Sequence, residues 1–429
     1  MDIQRRAKMN KRNSSLLVPA ILLAILLAAC VPITQSPTAT ESSTAGATLS
    51  PTGTITIWHQ WTGDILKTVQ NQLNQYMLSH QNVTIVLVQP ENVADALKVA
   101  IPVMDGPDII EWTNDQIGSQ AQVGNIIDLG SLGITQDYLK STYEPAAVNG
   151  MIWHGKIWAL PESQSGVAIV YNKALAGEAD FPADPMDFTD LLTKAKAYAD
   201  SHPGKYLICN PGLGNSAAYY DAPIYFGFGM PAFVDDSGKA YLNTPEGISA
   251  GKWIKEFKQY APAQTSEEAC NTMFTEGTVA AEWTGPWSIT AIENAGISYG
   301  LLPMGKPFVS LHSLMISSNA VDRGTSEMAL DIIKYLTNQD NEVQMASLTK
   351  IIPSNTAALQ DPQIQALATV KGFGAALNLG VPIATTPYAA SQWGPVGDAT
   401  MAIWNGSQSV EDALAAGQTA IENAISGMK

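Results

Sequence analysis

Positive charge is scarce in this chain. Lys and Arg number 23 against 39 Asp and Glu, for a formal net charge of −16 over 429 residues. Nucleic acid and anionic membrane surfaces would repel such a chain, so neither is expected as a partner. Charged residues of both signs make up only 14%, against 46% hydrophobic, which excludes a disordered chain and provides ample material for a core. Cysteine is rarer still, at Cys30, Cys209 and Cys270 only. There is no Cys-x-x-Cys pair, and the five histidines (59, 80, 154, 202, 312) show no i, i+4 spacing. No transition-metal site and no cofactor are therefore read. The apolar run at 15–29 is too short for a comfortable membrane span.

That run is an address. Arg5, Arg6, Lys8, Lys11 and Arg12 precede SLLVPAILLAILLAA, the charged and apolar regions of a secretory signal. Leu27-Ala28-Ala29-Cys30 resembles the bacterial lipobox, which implies cleavage after residue 29 and lipidation of Cys30. The other reading is an uncleaved signal anchor with an incidental cysteine. Losing residues 1–29 removes five positive charges and one negative, taking the net charge from −16 to −20. Residues 30–53, rich in Ser, Thr, Pro, Ala and Gly, read as a flexible lipid-anchored tether. Cys209 and Cys270 remain as a pair. Outside the cytoplasm they are able to form a disulfide, and spacing alone leaves bond and free thiols both open.

From Gly53 to Trp112 the pattern alternates. Strand 54–59, helix 64–78, strand 83–88, helix 91–102 and strand 107–112 follow from period-2 and helical spacing of apolar residues. This order signals a parallel sheet with crossover helices, an α/β fold. Ligands of such sheets bind beyond the carboxyl ends of the strands. His59, Gln60 and Trp61 end the first strand, and Trp112, Thr113, Asn114 and Asp115 end the third. Residues 157–171 read as strand, Pro-containing break, strand. A second α/β pattern follows: helix 187–200, strand 205–209, a helical or loop stretch 216–228, helix 244–260 and strand 278–283. Helices dominate the end, at 325–338, 361–371 and 409–426.

Four segments in order resemble the maltose-type extracellular solute-binding proteins of ATP-driven importers. They are Asp105-Gly106-Pro107-Asp108-Ile109-Ile110-Glu111-Trp112, Trp158-Ala159-Leu160-Pro161 with Val170-Tyr171-Asn172-Lys173, Gly285-Pro286-Trp287, and Gln408-Ser409-Val410-Glu411-Asp412-Ala413-Leu414. The resemblance spans residues 54–429. It implies the type II periplasmic-binding-protein fold: two α/β lobes, a hinge, and closure on ligand in the cleft. The implied lobes are 54–163 plus 309–361 and 164–308 plus 362–429. It also implies a monomer that hands an oligosaccharide to ABC transporter permease subunits.

Residue by residue, the resemblance puts Trp112, Trp287 and Trp393 at sugar-stacking positions and Asp115 at a hydroxyl-binding one. Tyr219, with Tyr220 as its neighbour, falls near an aromatic position. Ser165 stands where maltodextrin binders carry a carboxylate, and Gln116 and Gly397 stand where they carry arginines. His59, Gln60, Trp61 and Asp64 resemble the set used by other oligosaccharide binders. Glu162 and Gln164 fall at the implied hinge, with Asp221 and His312 as weaker candidates. The chemistry suits a sugar, whose apolar faces take aromatic rings and whose hydroxyls take Asp, Glu and Gln; a missing hydroxyl leaves a buried group unpaired. Trp is as often plain core, and Trp58, Trp153, Trp158, Trp253, Trp283 and Trp404 are read that way. Asp115 has a helix cap as its other role.

Enzyme patterns are weak. Gly247-Ile248-Ser249-Ala250-Gly251 matches a nucleophile elbow but sits inside an amphipathic helical pattern. Gly212-Leu213-Gly214-Asn215-Ser216-Ala217 matches a dinucleotide fingerprint but reads better as a tight loop. No segment suggests a paired-carboxylate glycosidase. The chain is expected not to be an enzyme; a lipid-anchored glycoside-acting enzyme, or a sensor for a non-sugar solute, is the alternative.

Overall fold

The computed structural model describes residues 52–213, 217–263 and 266–428. The signal segment, Cys30 and nearly all of the 30–53 tether lie outside these residues, as do Gly214, Asn215 and Ser216 of the glycine-rich pattern.

Strands β1 (Gly53–Trp58), β2 (Val83–Val88) and β3 (Ile109–Thr113) form a parallel unit with β1 in the middle. The helix Gly63–Ser79 crosses between β1 and β2 and buries Val69, Leu73 and Tyr76, an i, i+4, i+7 stripe. A hairpin, β4 (Ile152–Trp153) and β5 (Lys156–Ile157), precedes β6 (Ala159–Ser165). The chain then builds β7 (Ala168–Asn172), β8 (Tyr206–Cys209), β9 (Val279–Thr284) and β10 (Tyr299–Leu302). It returns through β11 (Phe308–Ile316), β12 (Ile352–Pro353) and β13 (Val381–Pro382).

Two main sheets result. The larger runs β12-β6-β11-β3-β1-β2, with β13 paired to β11; the smaller runs β10-β7-β9-β8. Each has its own core. Ile55, Ile57, Leu73, Ile109, Leu314 and Ile333 pack around the larger sheet. On the smaller sheet, Ile169 and Tyr171 join one cluster with Phe226 and Trp404, while Ala168 and Val170 join another with Phe274 and Phe373. Period-2 alternation along β7 thus feeds both faces. Cys209, at the end of β8, is bonded to Cys270 of the helix Glu267–Thr275, with Cα atoms 5.8 Å apart.

Three local expectations need correction. Pro161 does not break the strand; it lies within β6, and the break comes at Gly166-Val167. The reason is a β-bulge. His312 pairs with Ser163 and Ser313 with Pro161, so Glu162 is the extra, unpaired residue. Proline lacks the ladder donor, and bulges are where sheets tolerate it. The single helix expected at 361–371 is two, Pro362–Gln365 and Ala368–Leu377. Central strand β11 was not read from the sequence at all. The Gly247–Gly251 pattern lies wholly in the helix Pro245–Phe257, which supplies no strand-to-helix elbow. Among the described residues no helix is long and apolar enough to cross a membrane.

Candidate functional site

The carboxyl ends of β1 and β3 carry the first half of the site. Beyond β1, the Gln60 backbone N–H donates to Glu111 Oε2 at 2.7 Å, and the Trp61 indole N–H donates to Glu162 Oε2 at 3.1 Å. The bulge that frees Glu162 from strand pairing places its carboxylate for this bond. His59 stacks on Trp61 with ring centroids 5.1 Å apart, and both are buried. His312 of β11 closes the group, its Nδ1 lying 2.8 Å from Glu111 Oε1. Burial opposes charge on His312. The hydrogen bond and charge of Glu111, with the charges of Glu162 and Asp115, outweigh it and raise the imidazole's pKa. Burial, then the neighbouring Glu111 charge, raises Glu162 against the pull of His312 and Trp61. His59 is lowered by burial, against the pull of Glu111, and its Nδ1 is buried without a hydrogen-bond partner.

Glu111, Glu162 and His312 are the one such trio among the described residues with carboxylate and imidazole atoms all within 4.8 Å. The 2.8 Å contact is hydrogen-bond spacing, and each carboxylate already accepts a donor. The trio is therefore a hydrogen-bonded ion cluster rather than a metal centre.

Asp115 lies just past β3. Its carboxylate accepts from Thr113 at 2.5 Å, from the Gln116 amide at 2.8 Å and from the Trp393 indole at 2.9 Å. Burial pushes this carboxyl up, and those donors pull it back. Asp115 caps no helix through its side chain; it sits inside a short 3-10 turn. The neighbouring Asn114 accepts from Leu311 N and donates to Ile383 O and Thr385 Oγ1, pinning the segment after β13.

Aromatic rings from the smaller-sheet side form the second half. Trp393, at the start of the helix Trp393–Asn405, lies 5.7 Å from the Phe308 ring. Phe308 stacks on Tyr219 at 6.2 Å, and Tyr219 is 6.1 Å from Trp287. Tyr220 meets Trp287 edge-on at 6.3 Å. Trp287 follows β9, and its ring folds back over Gly285, where a Cβ would come within 2.1 Å of it. Only glycine fits that turn. The Tyr219 hydroxyl is buried beside Ser165 and Ser310 without a hydrogen bond of good geometry.

Ten of the thirteen expected ligand residues thus fall in two facing groups: His59, Gln60, Trp61, Asp115 and Glu162, and Tyr219, Tyr220, Trp287 and Trp393 with Ser165 at the Tyr219 hydroxyl. Trp112 is half-buried beside the larger core and shares β3 with Glu111. Gln164 donates to Pro353 O at 3.1 Å, tying β6 to β12. Asp64 is occupied by Lys67, one helical turn on, at 2.8 Å. Asp221 is fully buried and accepts from the Asn210 amide at 3.0 Å. Phe308 and the positioning role of Glu111 escaped the sequence reading, since β11 was missed and Glu111 resembled a strand residue. Trp253, Trp283 and Trp404 are buried in the core as expected.

A cavity of about 580 Å³ borders the aromatic group, sharing Phe308 with it. It is lined by Trp153, His154, Asp235, Asp236, Thr385 and Gln392 among others, and by none of the thirteen expected residues. The convergence of rings and carboxylates, rather than cavity size, defines the candidate site.

Two sheets with separate cores and a polar-aromatic seam between them define a two-lobed solute-binding protein of the type II fold. The Thermus thermophilus maltotriose binding protein bound with maltotriose superimposes with a TM-score of 0.74 at 22% identity, covering 86% of this chain and all of that one. The chain belongs to the family described as bacterial extracellular solute-binding protein, which matches residues 71–372. It is 29% identical over 359 residues to the maltotriose-binding protein of Pyrococcus abyssi, spanning 80% of this chain and 76% of that protein. It is 24% identical to the galactooligosaccharide-binding protein of Bacillus subtilis, over 74% and 77%. The family is one of extracellular solute-binding proteins and the relatives are named for the sugars they bind, and this chain is a member of that family rather than an enzyme.

Proposed function

We propose that this protein captures an oligosaccharide of the maltotriose or maltodextrin kind between its lobes and delivers it to the permease of an ABC importer. The observation that carries this reading is the bond from Trp393 to Asp115, which brings an indole and a carboxylate from opposite lobes to one point. Around it lie rings for sugar faces and acceptors for hydroxyls. The unpaired His59 Nδ1 and Tyr219 hydroxyl are polar groups that a bound hydroxyl would satisfy. The names of the relatives support a glucan ligand first and a galactooligosaccharide second.

In this reading the lobes are 54–163 plus 309–361 and 164–308 plus 362–429, hinged where β6 passes to β7. His59, Gln60, Trp61, Trp112, Asp115, Glu162, Gln164, Ser165, Tyr219, Tyr220, Trp287 and Trp393 line or support the cleft, with Asp64 at its rim. The protein works as a monomer, held at the outer face of the membrane by lipid on Cys30. A thermal-shift panel of maltotriose, maltotetraose and galactooligosaccharides tests the ligand class. A binder should raise the melting temperature in step with its concentration, and a flat response to every sugar would overturn the reading. Mass spectrometry of the membrane-extracted protein tests the anchor, which requires an acylated Cys30 at the amino terminus.

A further inference from the structure

Glu111 and Glu162 come from different strands, β3 and β6, and each holds one part of the loop that leaves β1. Glu111 is fully buried and takes the Gln60 backbone N–H at 2.7 Å; Glu162 is nearly so and takes the Trp61 indole N–H at 3.1 Å. Two carboxylates this close repel unless something stands between them. His312, on β11 between β3 and β6, supplies it: its Nδ1 is 2.8 Å from Glu111, and its ring lies within the same 4.8 Å cluster as Glu162. The His312 side chain keeps 35% of its surface open, whereas Glu111 keeps none. The imidazole is thus the part of the cluster that solvent or ligand reaches.

We propose that His312 is a positioning residue: by bridging Glu111 and Glu162 it fixes the Gln60–Trp61 loop at the cleft and so sets the affinity for the ligand. This rests on the oligosaccharide reading only for the identity of the ligand; the loop linkage stands without it. His59 is stacked on Trp61. Asp115 adds negative charge from beyond β3, while Glu342, on the helix Gln339–Thr349 behind Glu162, is pushed well above the usual carboxylate range by burial and so favours its neutral form. Among the described residues no Lys or Arg is paired with the trio. His312 is therefore the cation that this acidic group depends on.

The direction of the pH effect follows. A histidine whose folded pKa is raised is fully charged below its usual value near 6.5, and its contribution fades as pH climbs through the raised value. Above that point Glu111 and Glu162 face each other without a cation, and the loop loosens.

The test uses the full-length protein and two readouts. The first needs no sugar. The indole N–H resonance of Trp61, identified by its absence in Trp61→Phe, should shift with pH in a step lying above 6.5. The step should move in His312→Asn, whose amide keeps a donor near the Nδ1 position but does not titrate, leaving only the titration of Glu162, which accepts the indole N–H directly. The second is the affinity for maltotriose across the same pH range. Wild type should weaken by about tenfold on the alkaline side of the step, the effect of roughly one pKa unit of differential interaction. His312→Asn should bind without that alkaline weakening, and His312→Ala should bind weakly throughout. A Trp61 resonance that does not titrate, or that titrates alike in His312→Asn, overturns the proposal. No binding of any sugar alongside a normal Trp61 titration would sink the oligosaccharide reading and leave the linkage standing.

Discussion

The indole Nε1–H of Trp393 donates to Asp115 Oδ2 at 2.9 Å. Trp393 begins a helix of the smaller-sheet lobe, and Asp115 follows β3 of the larger sheet. One hydrogen bond thus joins positions 278 residues apart in sequence. Asp115 is nearly fully buried and spends both oxygens on Thr113, Gln116 and Trp393.

Trp393→Ala removes both a stacking face and a donor to Asp115. Affinity for the sugar should fall at least tenfold, equivalent to about 1.4 kcal/mol. Asp115→Asn should also weaken binding, since the amide presents one acceptor where the carboxylate has two. Calorimetric titration of each variant against wild type measures both losses.

Asp108 explains the sequence motif around it in structural terms. Its buried carboxylate takes Arg323 through Nε at 3.1 Å and Nη2 at 2.9 Å, Thr325 at 2.6 Å and the Thr56 backbone N–H at 2.8 Å. Removing one partner of such a network strands the rest. Asp108→Ala should therefore destabilise the fold by about 3 kcal/mol or more. A denaturant unfolding curve checks this, and affinity measured well below the transition should be spared.

Glu282, on β9, is fully buried, and among the described residues neither oxygen has a hydrogen-bond partner. Burial, with the nearby Glu267 charge, pushes its carboxyl up to about 8. An acid raised this way favours the folded state when protonated. It costs nothing below its ordinary value near 4.5, and its cost grows as pH rises toward 8. Glu282→Gln should therefore raise the melting temperature at pH above 8, with the gain shrinking toward acid pH. A gain of equal size at every pH would contradict the assignment.

The Cys209–Cys270 bond spans a separation of 61 residues. In the chain-entropy account a loop of that size contributes roughly 4 kcal/mol. Reduction, or a Cys209→Ala, Cys270→Ala pair, should lower the melting temperature. Sugar affinity of the still-folded protein should change little, because neither cysteine lines the cleft.

Periodicity made the first three strands and their helices legible, because each buries one clear face. It missed β11, where eight of the nine residues of FVSLHSLMI are buried, so both faces carry apolar residues and the short alternation Val309-Ser310-Leu311-His312 breaks at Ser313. That strand carries His312 and begins with Phe308, which is why both were underweighted. Pro161 misled for a related reason: a bulge that accommodates proline leaves no local trace in sequence. The stacking tryptophans were legible through family resemblance rather than through pattern. Their separation from core tryptophans such as Trp283 and Trp404 also came from that resemblance, and the burial of those two agrees with it.

The most direct test is calorimetric titration of the soluble body, residues 54–429, with maltotriose, maltotetraose and a galactooligosaccharide. The account predicts saturable one-to-one binding of at least one of these, lost or severely weakened in both Trp112→Ala and Trp393→Ala. Affinity for the bound sugar left unchanged in both folded variants, or no heat with any sugar, would contradict it.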